Sequence, residues 1–212
     1  MGTVKKGILG GFSGKVGIVV GVNWKGGTYV RSLPKKAKNA PSLGQLKQRS
    51  KFALVQNLLQ PLSEVLRVGW KLYAHDKSTF NAATSYTLTN AVSGEYPDFK
   101  IELSKVLISR GELTAVTNAF VNFSDGQVIF QWEDNSGAGS AKATDRALIA
   151  IVNLTKGKAV TITAGAPRSD SVQNVASPSE WSGDEIHTYM GFASENGREV
   201  SNSVYLGAIS VK

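Results

Sequence analysis

The chain has 212 residues, a formal net charge of +8 from 24 Lys+Arg and 16 Asp+Glu, and no cysteine. Without thiols there is no disulfide, no thiolate nucleophile and no zinc site built on sulfur. No apolar run approaches the roughly 18 residues of a membrane-spanning helix.

The charge is unevenly divided. Residues 1–100 hold 15 Lys+Arg and 4 Asp+Glu, a balance of +11, whereas residues 101–212 hold 9 and 12, a balance of −3. The first acid is Glu64, after 11 basic residues. Such an asymmetry suggests an anionic partner for the N-terminal half, a plain solvated basic face, or attraction between the two halves. Met1–Lys6 has a basic flank, but Gly10, Gly11, Ser13, Gly14 and Lys15 break up the next stretch of chain. No secretory leader is expected, and the cytoplasm is the default compartment. Lys6 stands where a myristoylation motif wants Ser or Thr.

The first patterned stretch is glycine-rich. A Walker A loop built on Gly14-Lys15 would need glycine at position 9 and a hydroxyl at position 16, where the chain has Leu9 and Val16. A β-hairpin fits better. Val16, Ile18, Val20 and Val22 alternate with Gly17, Val19 and Gly21, predicting a strand with one apolar and one nearly bare face. Lys25-Gly26-Gly27 supplies the turn, Trp24 stands beside it, and residues 28–33 form the return strand. Several glycines within a strand point to close approach by another element.

A basic connector, residues 35–40, lies between Pro34 and Pro41. Ser42-Leu43-Gly44-Gln45 matches a capping box and opens a helix to about Gln60. Leu46, Ala53, Val55, Leu58 and Leu59 supply its apolar side, and Lys47 and Lys51 share another face with Arg49 between them. Pro61 suits the first turn of a second helix with Leu62, Val65, Leu66, Trp70 and Tyr73 on its core stripe. A third helix is predicted from Ser78 to Val92, with Gly94 as a C-terminal cap.

From residue 98 the period changes to two. Strands are expected at 106–109, 113–123, 127–133, 145–153, 158–164, 184–194 and 199–211, with tight turns at Asp125-Gly126 and Asn196-Gly197. The last two strands form a hairpin. Residues from about 105 therefore read as an autonomous β-sandwich with Trp132 in or near its core. The fold class is α+β: a β-hairpin and helices over 1–98, then an all-β sandwich over 99–212. In pattern, the second region resembles an immunoglobulin-like or fibronectin type III domain.

A closer resemblance rests on three strings: "GGFSGKVGIVVGVNWKGGTYVRSLP", "SLGQLKQRSKFALVQNLLQPL" and "YPDFKIELSKVLISRGEL". They resemble a family of uncharacterised bacterial proteins, found mainly in Bacteroidota and named only as a domain of unknown function. The resemblance implies no catalytic residue, cofactor or substrate.

The catalytic inventory is thin. His75-Asp76 are sequence neighbours, which face different ways on a regular element, and His187 is expected to point outward from a strand beside Tyr189. Glu133-Asp134 and Asp184-Glu185 flank turn-like segments and lack Ca²⁺-loop spacing. No catalytic residue, metal site or cofactor is expected, and the chain reads as a non-enzyme.

Arg31, Lys35, Lys36, Lys38, Lys47, Arg49 and Lys51 crowd into 21 positions and form the candidate patch for an anionic partner. Only Tyr29 and Phe52 are near for base stacking, with Phe52 expected in the core. The functional expectation is a structural or interaction protein that assembles with itself or binds a protein partner. The alternative is non-specific nucleic-acid binding through the basic segment.

Overall fold

The computed structural model describes residues 3–4, 10–24, 27–33 and 40–211. The chain divides into two compact units, residues 1–42 and 43–212.

The first unit is a four-stranded antiparallel sheet in sequence order: β1 (Thr3–Val4), β2 (Phe12–Val16), β3 (Val19–Trp24) and β4 (Gly27–Ser32). The strand expected over 16–22 is broken. Gly17 takes a left-handed φ of +57°, so Gly17-Ile18 forms a turn and β2 folds back on β3. Ile18 sits at the turn and is 82% exposed, so it belongs to no apolar face. The second hairpin, β3–β4, follows the expected return, pairing Val22 with Tyr29 and Val20 with Arg31. Lys25, Gly26 and the side chain of Trp24 lie outside the described residues. Gly21 does meet protein: a Cβ there would stand 2.7 Å from Phe12 Cδ2 and closer still to the Phe12 carbonyl oxygen.

The second unit opens with α1 (Leu43–Leu59), a 3₁₀ turn over Gln60–Leu62, α2 (Ser63–Gly69) and α3 (Thr79–Asn90). Pro61 occupies the first turn, as its fixed φ and missing N–H allow. Ser78 caps α3, its Oγ accepting from the Asn81 amide at 3.1 Å. Gly94, with φ +86°, serves instead the turn between two short paired strands, β5 (Val92–Ser93) and β6 (Lys100–Ile101).

Seven strands follow: β7 (Thr117–Ser124), β8 (Gln127–Glu133), β9 (Arg146–Asn153), β10 (Lys158–Ile162), β11 (Val172–Ala176), β12 (Glu185–Ala193) and β13 (Val204–Ser210). They form two sheets, ordered β10-β9-β12-β13 and β11-β8-β7. The final hairpin is β12–β13, with a bulge between Thr188 and Tyr189.

The four-stranded sheet is buried on both faces. Ala147, Ile149 and Ile151 of β9 join Val128, Phe130, Trp132 and Phe192 in a core between the sheets. Leu148, Ala150 and Val152, on the alternate positions, join Leu59, Leu62, Leu66 and Trp70 in a second core beneath the helices. Such a strand reads as a continuous apolar run, because neither of its faces meets water. The boundary expected between residues 98 and 99 falls inside this unit, since the helices and the sheet share one core.

Trp132 is buried as expected. Its ring meets Phe192 edge-on at 5.8 Å, and its Nε1 donates to the Arg168 carbonyl at 2.8 Å. Residues 106–109 and 113–116 form no strand. The Ile108 amide instead donates to Ser203 Oγ at 2.9 Å. β11 was not expected: its edge sequence VQNVA alternates weakly, and among the described residues it pairs only with β8.

Candidate binding surfaces

Four of the seven basic residues of the candidate patch lie among the described residues. Lys35, Lys36 and Lys38 lie outside the described residues. Arg31 is on β4 of the first unit, and Lys47, Arg49 and Lys51 are on α1 of the second. At about 100° per residue, Arg49 lies on the far side of α1 from Lys47 rather than between Lys47 and Lys51. Lys51 Nζ stands 4.7 Å from the Phe99 ring centroid, a cation–π contact. Phe52 is 48% exposed, not core. The apolar stripe runs on through it, but the core stops short: no residue from 43 to 54 is buried.

The sheet of the first unit has two unlike faces. Residues paired across an antiparallel ladder share a face. Lys15 pairs with Val20 and Val20 with Arg31, so these three form one row across three strands. The Val22–Tyr29 pair lies two positions along on the same face. The opposite face carries the Gly14–Gly21 and Gly21–Val30 pairs, with the Phe12 ring against Gly21. Lys15 is an exposed strand residue in this sheet, and no helix N-terminus follows Gly14, so the segment has none of the geometry of a phosphate loop.

In the second unit a groove of about 1310 Å³ lies between the end of α1 and the β9–β10 hairpin. Leu58, Pro61, Phe99, Ile101 and Val160 line it, together with Lys156, Lys158 and Glu180. Three of its charged residues, Lys156, Lys158 and Glu180, are held in polar contacts. Lys158 Nζ is 2.8 Å from Glu180 Oε1, and Lys156 Nζ is 3.1 Å from Asp184 Oδ2 and donates to the Glu180 carbonyl. The hydrogen bond from Lys158 holds the Glu180 carboxyl below its ordinary range. The amide of Asn153, followed by Lys156, does the same for Asp184.

The histidines are placed differently. His75 is exposed after the 3₁₀ turn Lys71–Tyr73. His187 was expected to point outward, yet it is 9% exposed, with the Tyr205 ring of β13 against its imidazole. Its Nδ1 is 2.9 Å from the Tyr205 hydroxyl, and its Nε2 is 3.8 Å from Glu185 Oε1. Burial pulls the imidazole below its ordinary pKa, and the Glu185 charge opposes this in part. Burial, with the Glu185 charge, raises Tyr205. Among the described residues no three His, Asp or Glu side chains converge as a metal site, and no helix is long and apolar enough to cross a membrane.

One recognisable sequence pattern spans parts of both units, from just before β2 to within β13. The chain belongs to the family of unknown function DUF6266, whose model matches residues 11–207. No curated protein matches it.

The DUF6266 match thus includes a buried ion pair that sequence reasoning missed. Arg168, wholly buried, places Nη2 3.2 Å from Asp145 Oδ2, and donates from Nη1 to Asn135 Oδ1 at 2.6 Å and from Nη2 to the Thr114 carbonyl at 2.9 Å. Its guanidinium also stands 3.8 Å from the Phe192 ring centroid. Burial lowers the Arg168 pKa, with Asp145 opposing. The pair ties the loops before β7, β9 and β11 together. Nothing near Pro167-Arg168 in the sequence distinguishes this arginine from a solvated one.

Proposed function

We propose that this DUF6266 chain is a non-enzymatic structural or interaction protein that assembles through the edge of its N-terminal sheet. The observation that carries this reading is strand β4. All six of its residues are exposed, and among the described residues it pairs only with β3. The Leu33 amide donates to the Ile18 carbonyl at 2.7 Å. Bonding alternates along an antiparallel ladder, so Arg31 and Tyr29 bond inward to β3. Val30 and Ser32 then turn their N–H and C=O outward. β4 carries one charge, Arg31, but no proline and no bulge of the kind that commonly blunts an edge. Strand addition by a second chain satisfies these groups.

The order of the two sheets in the second unit supports a finer structural reading. The order β11-β8-β7 opposite β10-β9-β12-β13 favours a fibronectin type III-like sandwich with helices laid over the larger sheet. In this reading the sandwich is the scaffold, and its groove a secondary binding surface.

The test is molar mass by light scattering over a range of concentrations. The parent chain should self-associate. Val30→Pro removes an outward amide without touching the β3 ladder and should remain monomeric. A parent that is monomeric throughout would contradict assembly through this edge.

A further inference from the structure

The whole net charge of the chain resides in its first unit. Residues 1–42 contain eight Lys+Arg and no acid, whereas residues 43–212 contain sixteen of each. Nothing within the first unit therefore repels a polyanion. Its β-ladder also brings three residues distant in sequence onto one face: Lys15 from β2, and Tyr29 and Arg31 from β4. Lys15 and Arg31 are exposed, and Tyr29 is 50% exposed. Val20 and Val22, both half-buried, form the floor between them.

The spacing follows from sheet geometry. Lys15 and Arg31 are two strands apart, about 10 Å, and Tyr29 is about 7 Å from Arg31 along β4. An exposed aromatic ring beside a row of two flexible cations on a sheet face can stack an unpaired base while the cations hold neighbouring phosphates. A duplex keeps its bases stacked, so a single strand is the polyanion whose bases reach the ring.

We propose that this face binds single-stranded nucleic acid without sequence preference. Tyr29 stacks on a base, and Lys15 and Arg31 contact backbone phosphates. The surface is the face of the sheet and not its β4 edge, so the proposal stands independently of self-association.

The test is fluorescence anisotropy of the full chain with a labelled oligothymidylate of about 16 nucleotides, in the range of site sizes such surfaces cover. Binding should weaken steeply with salt. Lys15→Ala combined with Arg31→Ala should flatten the log–log salt slope by about 1.4, at roughly 0.7 per lost phosphate contact on a single strand. Tyr29→Leu should weaken binding about fivefold or more at unchanged slope, and Tyr29→Phe should restore it. These side chains are exposed, so each variant should keep the parent's circular dichroism spectrum and melting temperature. Three results would overturn the proposal: no binding at low salt, binding indifferent to Tyr29→Leu with heparin bound equally well, or a preference for anionic phospholipid vesicles over the oligonucleotide.

Discussion

The two units bury their apolar residues in opposite ways. In residues 43–212 a single sheet is covered on both faces, by a second sheet and by helices, and Lys156 and Lys158 pair with Asp184 and Glu180. In residues 1–42 a single-layer sheet keeps Val16, Ile18, Tyr29 and Val30 exposed and carries no acid. The difference teaches where to look for function. The open edge and basic face of the first unit are the features on which the proposed assembly and binding rest.

The largest expected effect comes from dividing the second unit. A chain of residues 99–212 would expose Leu148, Ala150, Val152 and Tyr189, which the helices bury. It should lose cooperative thermal unfolding, and a sharp β-type melt near that of the full chain would break the three-layer account. Next, Arg168→Ala leaves the Asp145 carboxylate buried without its cation. Breaking such a pair costs about 3–5 kcal/mol. Urea unfolding followed by tryptophan fluorescence should show that loss, whereas a cost below about 1 kcal/mol would show that water reaches Asp145.

In the first unit, Gly21→Val drives a branched side chain into Phe12. Overpacking of this kind costs about 1–3 kcal/mol. The effect should be confined to amide exchange in β2–β4, with β9 and β12 unchanged. Loss of protection in both sets would mean that the units do not behave separately.

The smallest effect is a pH dependence from His187. Its pKa is lowered in the folded chain, so the neutral form is favoured there. That contribution is fully present above the ordinary histidine value of about 6.5. It is lost as pH falls through the lower folded value. The melting temperature should therefore decline on acidification from neutrality toward pH 5, and His187→Gln should flatten the decline. An unchanged slope would place the histidine in water.

The contrast between the units also explains which features were legible in the sequence. The core tryptophan, the capped helix after Ser78 and the hairpin of β12 with β13 could be read because local chemistry decides them. The burial of β9 on two faces is likewise written in its unbroken apolar run, ALIAIV. The shared core of helices and sheet was not legible, because the period change near residue 98 marks a change of secondary structure and not a change of core. The break at Gly17 was missed because alternation alone does not reveal a left-handed φ. Closeness in sequence placed Arg31 with Lys47, Arg49 and Lys51, and the structure assigns Arg31 to the first unit and the other three to the second. The row formed by Lys15, Val20 and Arg31 needed the register of two ladders, which no single strand encodes.

The most direct test of this division of labour is hydrogen exchange of the full chain at low and high protein concentration. The outward amides of Val30 and Ser32 should gain protection as concentration rises, while those of β9 and β12 stay constant. Protection in β4 that is independent of concentration, with changes appearing instead around the groove at Phe99 and Lys158, would contradict the account.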